Sequence, residues 1–237
     1  MGDTPFDRDL RNWVPPPRPG DVSLQGRFCR LESLDPARHG AQLHAANRAD
    51  DAIWDYLPYG PFTTAEAYRG WADQAALEHD PKFFAIRVLK TDRACGVASF
   101  LRIKPEAGSI EVGHINFAPV LQRSAAATEA IYLMMKWAFE SGYRRFEWKC
   151  DARNLGSRRA AQRFGFSCEG LFRQATIVKG RNRDTAWFAC IDAEWPRLRD
   201  AYESWLAPEN FDAQGRQIVS LATLTAPIRV SGDPALD

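Results

Sequence analysis

The stretch IEVGHINFAPVLQRSAAATEA, residues 110–130, decides the fold of this chain. Its first half alternates as a β-strand, but the apolar side chains move from even to odd positions partway along. The residues that show this change are Ile110, Val112, Ile115 and Phe117. One face of a strand can hold both sets only if an extra residue is inserted between them. The change of phase predicts a β-bulge near Gly113–His114, with an ordinary kink in a core strand as the alternative.

The second half of the same stretch is a polar turn that leads into a helix. Pro119 ends the strand, and Gln122-Arg123-Ser124 forms the turn. Three alanines, Ala125 to Ala127, then open a helix whose apolar positions recur at helical spacing as far as Gly142. Such a helix start has free N–H groups and little side-chain bulk, and Arg123 adds a charge, so it favours an anion. A well-packed alanine-rich helix entry is the alternative.

A second motif, NLGSRRAAQRFGF, occupies residues 154–166. It follows a strand that alternating apolar and charged residues predict over 144–151. Asn154 is a good N-cap for a short helix, and Gly165 ends that helix. Strands and helices therefore alternate through this half of the chain, which indicates a mixed α/β fold.

The same signals predict the remaining elements. Further helices are expected at about residues 36–47, 65–78 and 194–206, and further strands at about 27–33, 82–89, 94–103, 166–178 and 184–191. The last two strands would form a hairpin around Lys179–Arg183. The arginines of that hairpin tip are either solvated or available to an acidic acceptor or phosphate.

Composition limits the class of protein. The chain has 237 residues with 45% hydrophobic content, enough for one domain with extensions. Its net charge of +1 predicts neither a nucleic-acid nor a membrane partner. Five scattered cysteines without a CxxC pair indicate reduced thiols and a cytoplasmic protein. The four histidines lack metal-ligand spacing, and the absence of a long apolar run argues against membrane and secreted classes.

Taken together, the two motifs resemble those of GNAT-type N-acetyltransferases, in the branch similar to the ribosomal-protein Nα-acetyltransferases. The coenzyme signature of that family, Q/R-x-x-G-x-G/A, corresponds to Gln122–Ala127. Thr128-Glu129-Ala130 is similar to a continuation that this branch often shows. The second signature, an Asn-led helix that ends in Gly-Phe, corresponds to residues 154–166. The resemblance covers roughly residues 27–192.

The resemblance implies a single mixed α/β domain over residues 27–192. Its sheet would be mixed but mostly antiparallel, with about six or seven strands, a bulged fourth strand, about four flanking helices and a C-terminal helix. A Pro-rich arm over 1–26 would precede the domain, and a helix with a polar tail over 193–237 would follow it. Acetyl-CoA is the implied co-substrate, with no metal. The implied partner is a peptide or small-molecule amine, and a homodimer is compatible with the family.

The family's coenzyme contacts come from the end of the bulged strand, the polar turn and the starts of two helices. In this sequence those positions are Ile115, Asn116, Phe117, Gln122, Arg123, Ser124, Ala125, Ala127, Thr128, Asn154 and Ser157. Two positions depart from the family pattern. Ala125 replaces a signature glycine, and Ala161 stands where many members carry the tyrosine that protonates the leaving thiolate. Ser157 matches a serine that is thought to help instead in the ribosomal-protein branch.

Acetyl transfer to an amine needs a base, donors for the oxyanion and a proton for the thiolate. A bulge would free a backbone N–H near Ile115–Asn116 for the carbonyl. Glu111 is the first choice of general base, and His114 is the second because imidazole titrates near neutral pH. The alternatives are a solvated carboxylate for Glu111, a structural imidazole for His114 and a helix-end hydroxyl for Ser157.

An aromatic segment is the candidate acceptor site. By analogy with the family, the loop that contains Trp54, Asp55, Tyr56 and Tyr59 borders the acceptor. Its rings would cover the cleft and Asp55 would attract an ammonium group, or else the rings fill an edge of the core.

The sequence therefore predicts an enzyme that transfers an acetyl group from acetyl-CoA to a primary amine in a direct ternary complex. The acceptor would be a protein N-terminus, an amino acid or a small amine. The alternative is a non-catalytic acyl-CoA-binding or scaffold module with the same fold.

Overall fold

The computed structural model describes residues 9–236. The first eight residues of the predicted N-terminal arm lie outside the described residues. The described part contains eight strands, namely β1 (Leu24–Gln25), β2 (Cys29–Ser33), β3 (Lys82–Val88), β4 (Arg93–Lys104), β5 (Ser109–Phe117), β6 (Arg145–Asp151), β7 (Ser167–Val178) and β8 (Arg181–Ile191). It also contains six α-helices, namely α1 (Pro36–Asn47), α2 (Ala65–Leu77), α3 (Ala125–Glu140), α4 (Leu155–Arg163), α5 (Trp195–Leu206) and α6 (Leu221–Thr225).

All eight strands join one sheet in the order β1-β2-β3-β4-β5-β6-β8-β7. Neighbouring strands are antiparallel, except that β5 and β6 run parallel. The predicted mixed, mostly antiparallel sheet is confirmed, but the sheet has eight strands rather than six or seven. The added strand, β1, is two residues long and is too short to leave an alternation pattern in the sequence. The bulged strand is consequently the fifth along the chain.

The predicted β-bulge lies in β5. Between the Val97–Asn116 and Ser99–Gly113 pairs, β4 advances by two residues while β5 advances by three. His114 takes up the extra length with a φ of 49°, in the left-handed region. Residues 110 and 112 before the bulge and residues 115 and 117 after it therefore contact the same apolar core. This confirms the interpretation of the phase change and rules out the ordinary kink.

Two apolar cores lie on opposite faces of the sheet. The larger core joins α3, α4 and α5 to residues such as Phe100, Val112 and Phe146. The smaller core places α1 and α2 against β3 and β4, and its centre contains Trp54 and Tyr68. Side chains alternate along each strand, so the charged residues of β5 and β6 that point away from α3 lie on the α1–α2 face.

Helix α3 is fastened to the beginning of the sheet by one carboxylate. Glu129, which is 3% exposed, accepts hydrogen bonds from the backbone amides of Arg27, Phe28 and Cys29 at 2.7, 2.6 and 2.8 Å. Gly26 permits this close approach, because a Cβ at that position would lie 2.2 Å from the Glu129 carboxyl carbon. The chain before β2 is thereby held against the second turn of α3.

The β7–β8 hairpin is tighter than predicted. Val178 pairs with Arg181, and the two residues between them, Lys179 and Gly180, have φ angles of 48° and 72°. Positive φ at both positions is the geometry of a two-residue type I′ turn, which matches the twist of the strands. Arg181 and Arg183 consequently belong to β8 and do not form the basic tip that the sequence predicted.

The segments that flank the predicted domain are packed against it. In the N-terminal segment, the Pro17 carbonyl accepts a hydrogen bond from the Tyr143 hydroxyl at 3.0 Å. In the C-terminal segment, Tyr202 of α5 stacks on Tyr132 of α3. Asp233, fully buried, accepts a hydrogen bond from Arg158 Nε at 2.6 Å. Residues 207–236 are therefore more than the polar tail expected, because they add α6 and a buried ion pair to the surface of α4.

Candidate active site

The candidate site lies where β5 and β6 separate. The parallel register runs from the Ser109–Arg145 pair to the Val112–Trp148 pair, and the described residues contain no later pair between these two strands. The bulge begins at the next residue of β5 and turns the strand away from β6. Helices α3 and α4 both begin beyond the carboxyl ends of these strands. Ligands commonly bind at such a place in α/β proteins, because helix starts and loose strand ends meet there.

The start of α3 has backbone donors that are left free by the described part of the chain. The Ser124 hydroxyl caps the helix by accepting a hydrogen bond from the Ala127 amide at 3.1 Å. Within residues 9–236, the amides of Ala125 and Ala126 have no acceptor. The first turn contains no acidic side chain, and exposed Arg123 precedes it. These features fit a diphosphate group.

The alanine that replaces the signature glycine does not need glycine's backbone freedom. Ala125 is the first residue of α3 and has no positive φ, so an alanine adopts its conformation without strain. The left-handed residue of the turn is Arg123, with a φ of 57°. A methyl group at position 125 therefore leaves the geometry of the turn intact.

Several side chains predicted to contact the coenzyme are engaged within the protein. Gln122 Nε2 donates to the Phe117 carbonyl at 2.9 Å, which ties the turn to the end of β5. Thr128 Oγ1 donates to the Ser124 carbonyl at 3.3 Å. Asn154 Oδ1 accepts from the Ser157 amide at 3.0 Å and caps α4. What this region offers a ligand is consequently its backbone amides more than these side chains.

Glu111 lies one residue before the strands separate, and it is 2% exposed. Arg102 Nη1 approaches one carboxylate oxygen at 2.6 Å, and Lys149 Nζ approaches the other at 2.8 Å. Burial raises the pKa of the Glu111 carboxyl, and the two cations partly oppose that increase. Glu111 is therefore a buried carboxylate between two cations, and the solvated alternative is wrong because the side chain has lost contact with bulk water.

Lys149 and Arg102 are the site residues that sequence reasoning missed. Lys149 also contacts Glu147 Oε2 at 2.7 Å and lies 3.7 Å from the centre of the Trp187 ring. The alternation of β6 carried a signal, because Glu147 and Lys149 share the face that Glu111 occupies on β5. That signal identifies a shared face, but only the parallel register brings the residues within contact.

His114 and Tyr59 form a pair on the bulge. Their rings stack at 5.6 Å, and His114 Nδ1 lies 3.2 Å from the Tyr59 hydroxyl. Burial, followed by the nearby charges of Arg102 and Arg183, lowers the pKa of His114 to about 4. Burial also raises the pKa of Tyr59, so the phenol keeps its proton and donates a hydrogen bond to Nδ1 of the neutral imidazole. At neutral pH His114 is a weak base, and its geometry suits the positioning of Tyr59 better.

The lowered pKa of His114 predicts a loss of stability in acid. Between pH 6.5 and about 4 the unfolded chain binds a proton at this residue and the folded chain does not. The contribution of neutral His114 to the free energy of unfolding is therefore fully present above pH 6.5. About 3 kcal/mol of stability is lost as the pH falls to about 4. Urea unfolding across this range should show a shallower decline for His114→Asn, because asparagine tolerates the left-handed backbone but does not titrate. His79→Asn, at an exposed position, is the control, and parallel curves for wild type and His114→Asn would contradict the assignment.

Asn116 is a buried polar residue at the far end of the bulge. It is 1% exposed, and both its Oδ1 and its Nδ2 lack a hydrogen-bond partner in the described part of the chain. Leaving such groups unpaired costs stability, so an unpaired amide beside the separating strands indicates a place for a polar ligand atom or water. The predicted contribution of Asn116 was its backbone, and the structure adds its side chain.

Ser157 lies in the first turn of α4. Its hydroxyl oxygen accepts a hydrogen bond from Trp148 Nε1 at 3.0 Å, and Trp148 belongs to the last paired position of β6. Burial raises the pKa of the Cys150 thiol to about 11, and a contact with the Ser157 side chain partly opposes that increase. The hydroxyl is therefore held at the C-terminal end of β6 and is more than a helix-end group that bonds its own backbone.

The aromatic segment divides between core and site. Trp54 is 2% exposed and packs on Phe62 and Tyr68, so it fills the smaller core. Tyr59 reaches His114. Tyr56 is 38% exposed, its hydroxyl lies 3.4 Å from the Arg153 carbonyl, and neighbouring Asp55 is exposed. The structure thus brings Tyr59 to the bulge and leaves Asp55 and Tyr56 at the surface.

Within residues 9–236, no group of three or more His, Cys, Asp or Glu side chains is placed to hold a metal ion. Helices in the same range are all too short or too polar to cross a membrane.

Comparison with known proteins places this geometry in context. Residues 30–167 match the family model described as acetyltransferase (GNAT) domain. A GCN5-related N-acetyltransferase structure from Brucella melitensis is 44% identical and has a TM-score of 0.90, covering 92% of this chain and 100% of that one. An uncharacterized N-acetyltransferase, p20, from Bacillus licheniformis is 27% identical over 151 residues, which are 62% of this chain and 84% of the relative. Another similar structure is that of RimL, the ribosomal L7/L12 alpha-N-protein acetyltransferase, in complex with coenzyme A. It is 24% identical with a TM-score of 0.60 and covers 73% of this chain and 99% of that one, so it shares the fold.

Proposed function

This chain belongs to the acetyltransferase (GNAT) family, and from that premise we propose that it transfers an acetyl group from acetyl-CoA to a primary amine by direct attack in a ternary complex. The observation that carries the proposal is the combination of unused amides at the start of α3 with a buried carboxylate where β5 and β6 separate. The first feature suits a diphosphate, and the second suits the removal of a proton.

Acetyl-CoA, when bound, supplies the thioester whose carbonyl carbon the amine attacks. The amides of Ala125 and Ala126 hold its diphosphate, with Arg123 adding positive charge. The gap between β5 and β6 receives the acyl end, where β5 amides beyond the bulge no longer pair with β6. Donors of this kind stabilise negative charge that develops on a carbonyl oxygen.

Two residues on the walls of this gap assist the reaction, one by accepting a proton and the other by stabilising the leaving group. Glu111 accepts the proton that the attacking amine must lose, directly or through water, and its raised pKa suits this role better than that of an exposed carboxylate. Ser157 donates a hydrogen bond from its hydroxyl to the departing thiolate, from the first turn of α4. His114 positions Tyr59 on the acceptor side.

The acceptor is a primary amine of a protein N-terminus, an amino acid or a small molecule. Asp55 and Tyr56 lie at the surface next to the core aromatics, where a carboxylate attracts an ammonium group. The name of RimL says that it acts on a ribosomal protein N-terminus. A peptide that mimics a ribosomal-protein N-terminus is therefore the first acceptor to test. The five free cysteines favour a reducing compartment, and we place the protein in the cytoplasm.

The experiment is a coupled assay of thiol release with acetyl-CoA and a panel of N-terminal peptides, amino acids and small amines. We expect saturable turnover with at least one class of amine, and mass spectrometry of that amine should show one added acetyl group. Saturable coenzyme binding without acetylation across the panel would instead support the non-catalytic acyl-CoA-binding module. Failure of acetyl-CoA to raise the melting temperature would contradict both.

A further inference from the structure

A basic cavity lies between α4, α6 and the C-terminal tail. Its volume is about 280 Å³. It is lined by Arg159, Gln162, Arg163, Ala222, Arg229 and Leu236. Half of these residues carry a guanidinium group and none carries a carboxylate. We call this feature the arginine cavity.

The charge of the arginine cavity is not neutralised by the described part of the chain. Among residues 9–236, none of its three arginines lies within 4.0 Å of a carboxylate oxygen. Within the described part of the tail, Asp233 approaches α4, and its carboxylate pairs with Arg158. Three guanidinium groups around one space, with no counter-ion among residues 9–236, favour the binding of an anion.

Two of the three guanidinium groups are held in place. Arg163 Nη1 and Nη2 each lie 3.1 Å from Thr128 Oγ1. Arg229 Nη1 donates to Gln162 Oε1, while its Nε is buried without a partner in the described residues. Burial also lowers the pKa of Arg163, as expected for a cation withdrawn from water with no carboxylate beside it. Pre-positioned donors lose little entropy when a ligand binds.

Arg163 connects the arginine cavity to the start of α3, where the diphosphate site is proposed. Thr128, the partner of Arg163, lies three residues after Ala125, within the first turn of α3. One helical turn rises about 5.4 Å, so the Arg163 guanidinium lies close to the unused amides. In coenzyme A, one ribose separates the diphosphate from a phosphate monoester on the 3′-oxygen. A group of that size and charge is what the cavity would receive.

We propose that the arginine cavity binds the 3′-phosphate of acetyl-CoA, so that the protein selects coenzyme A over 3′-dephospho-coenzyme A. This inference rests on the proposed function, because it assumes the diphosphate at the start of α3. It also gives the C-terminal tail a role in coenzyme binding. Arg229 lies beyond residues 30–167, which match the family model, and the tail brings it to α4 through Gln162.

The test is calorimetric titration of the full chain with coenzyme A and with 3′-dephospho-coenzyme A. Wild type should bind coenzyme A about 10- to 100-fold more tightly, the value expected for charge-assisted contacts to one phosphate. The double variant Arg159→Gln/Arg229→Gln should reduce that preference to below about threefold and leave the affinity for the dephospho form unchanged. Arg48→Gln, at an exposed position after α1, is the control and should keep the full preference.

The single variant Arg159→Gln keeps the test valid if the double variant fails to fold, because Arg159 is exposed. It should lower the preference by part of the full amount. Equal affinity of wild type for the two coenzyme forms would overturn this inference and leave the proposed function standing. Binding of inorganic phosphate that the double variant abolishes, together with that equal affinity, would assign the cavity to a free anion. Absence of binding by either coenzyme form would instead refute the proposed function itself.

Discussion

Replacing Glu111 with glutamine is expected to reduce turnover of acetyl-CoA by about 100-fold or more, with little change in coenzyme affinity. Glutamine keeps the size of the side chain and can still accept a hydrogen bond from Arg102 or Lys149. It cannot take a proton from an attacking ammonium group. The affinity should be preserved because the proposed contacts to the coenzyme diphosphate come from the start of α3, on the other face of the sheet.

The pH dependence separates a chemical role of Glu111 from a structural one. In wild type, kcat/KM should rise with pH through the pKa of Glu111, which lies above its ordinary 4.5 because the carboxyl is buried. The acid limb should disappear in Glu111→Gln, since the rate then no longer depends on that ionisation. If the role of Glu111 is only structural, Glu111→Gln should instead lower the melting temperature and the coenzyme affinity together, and the acid limb of the pH profile should remain.

Glu147 provides the matched control for this experiment. It lies directly opposite Glu111 in the parallel register, contacts the same Lys149 and is similarly shielded. Glu147→Gln should therefore perturb the charges around Lys149 and change turnover by only a few-fold. If Glu111→Gln and Glu147→Gln lower turnover equally, or if Glu111→Gln leaves it unaltered, Glu111 is not the base.

Replacing Glu129 with alanine is expected to lower the free energy of unfolding by about 3–5 kcal/mol. The substitution removes the acceptor of three backbone amides, those of Arg27, Phe28 and Cys29. Each donor left without a partner away from water costs about 1–3 kcal/mol, and water that enters the space recovers part of the loss. Glu129→Gln should have a smaller effect, because its one carbonyl oxygen can still accept.

Urea unfolding followed by circular dichroism measures this loss as a lower transition midpoint. The matched control is Glu140→Ala, in the same helix, where the carboxylate is half exposed and pairs with Lys136 at 3.9 Å. That variant should change stability by less than about 0.5 kcal/mol. An equal midpoint for wild type and Glu129→Ala would show that water satisfies the three amides and that Glu129 does not fasten α3.

Much of the fold could be predicted because its signals are local. The phase change around residues 110–117 located the bulge to within one residue, since side-chain alternation has a fixed period of two. Asn154 caps α4 as its capping chemistry predicted, and α3 begins at Ala125, directly after the predicted polar turn. The two-residue strand β1 and the two-residue turn before β8 were missed, because segments that short carry no periodicity.

The candidate site could be predicted only in part. Glu111 and His114 were identified as polar residues on the bulged strand, but their partners were not. Whether Glu111 faces water or two cations depends on Arg102 and Lys149, which reach it from the strands on either side. Whether His114 is a base or a positioning group depends on how deeply Tyr59 and its neighbours bury it.

The sequence by itself determined the order of the longer elements, the bulge in β5 and the small-residue start of α3, because each follows from residues within a few positions of one another. Tertiary structure alone decided which charges surround Glu111 and how the tail meets α4. Arg158 and Asp233 are 75 positions apart, and Gln162 and Arg229 are 67 apart. No local period links such residues, since their contact depends on strand register and on the path of the chain around the whole sheet.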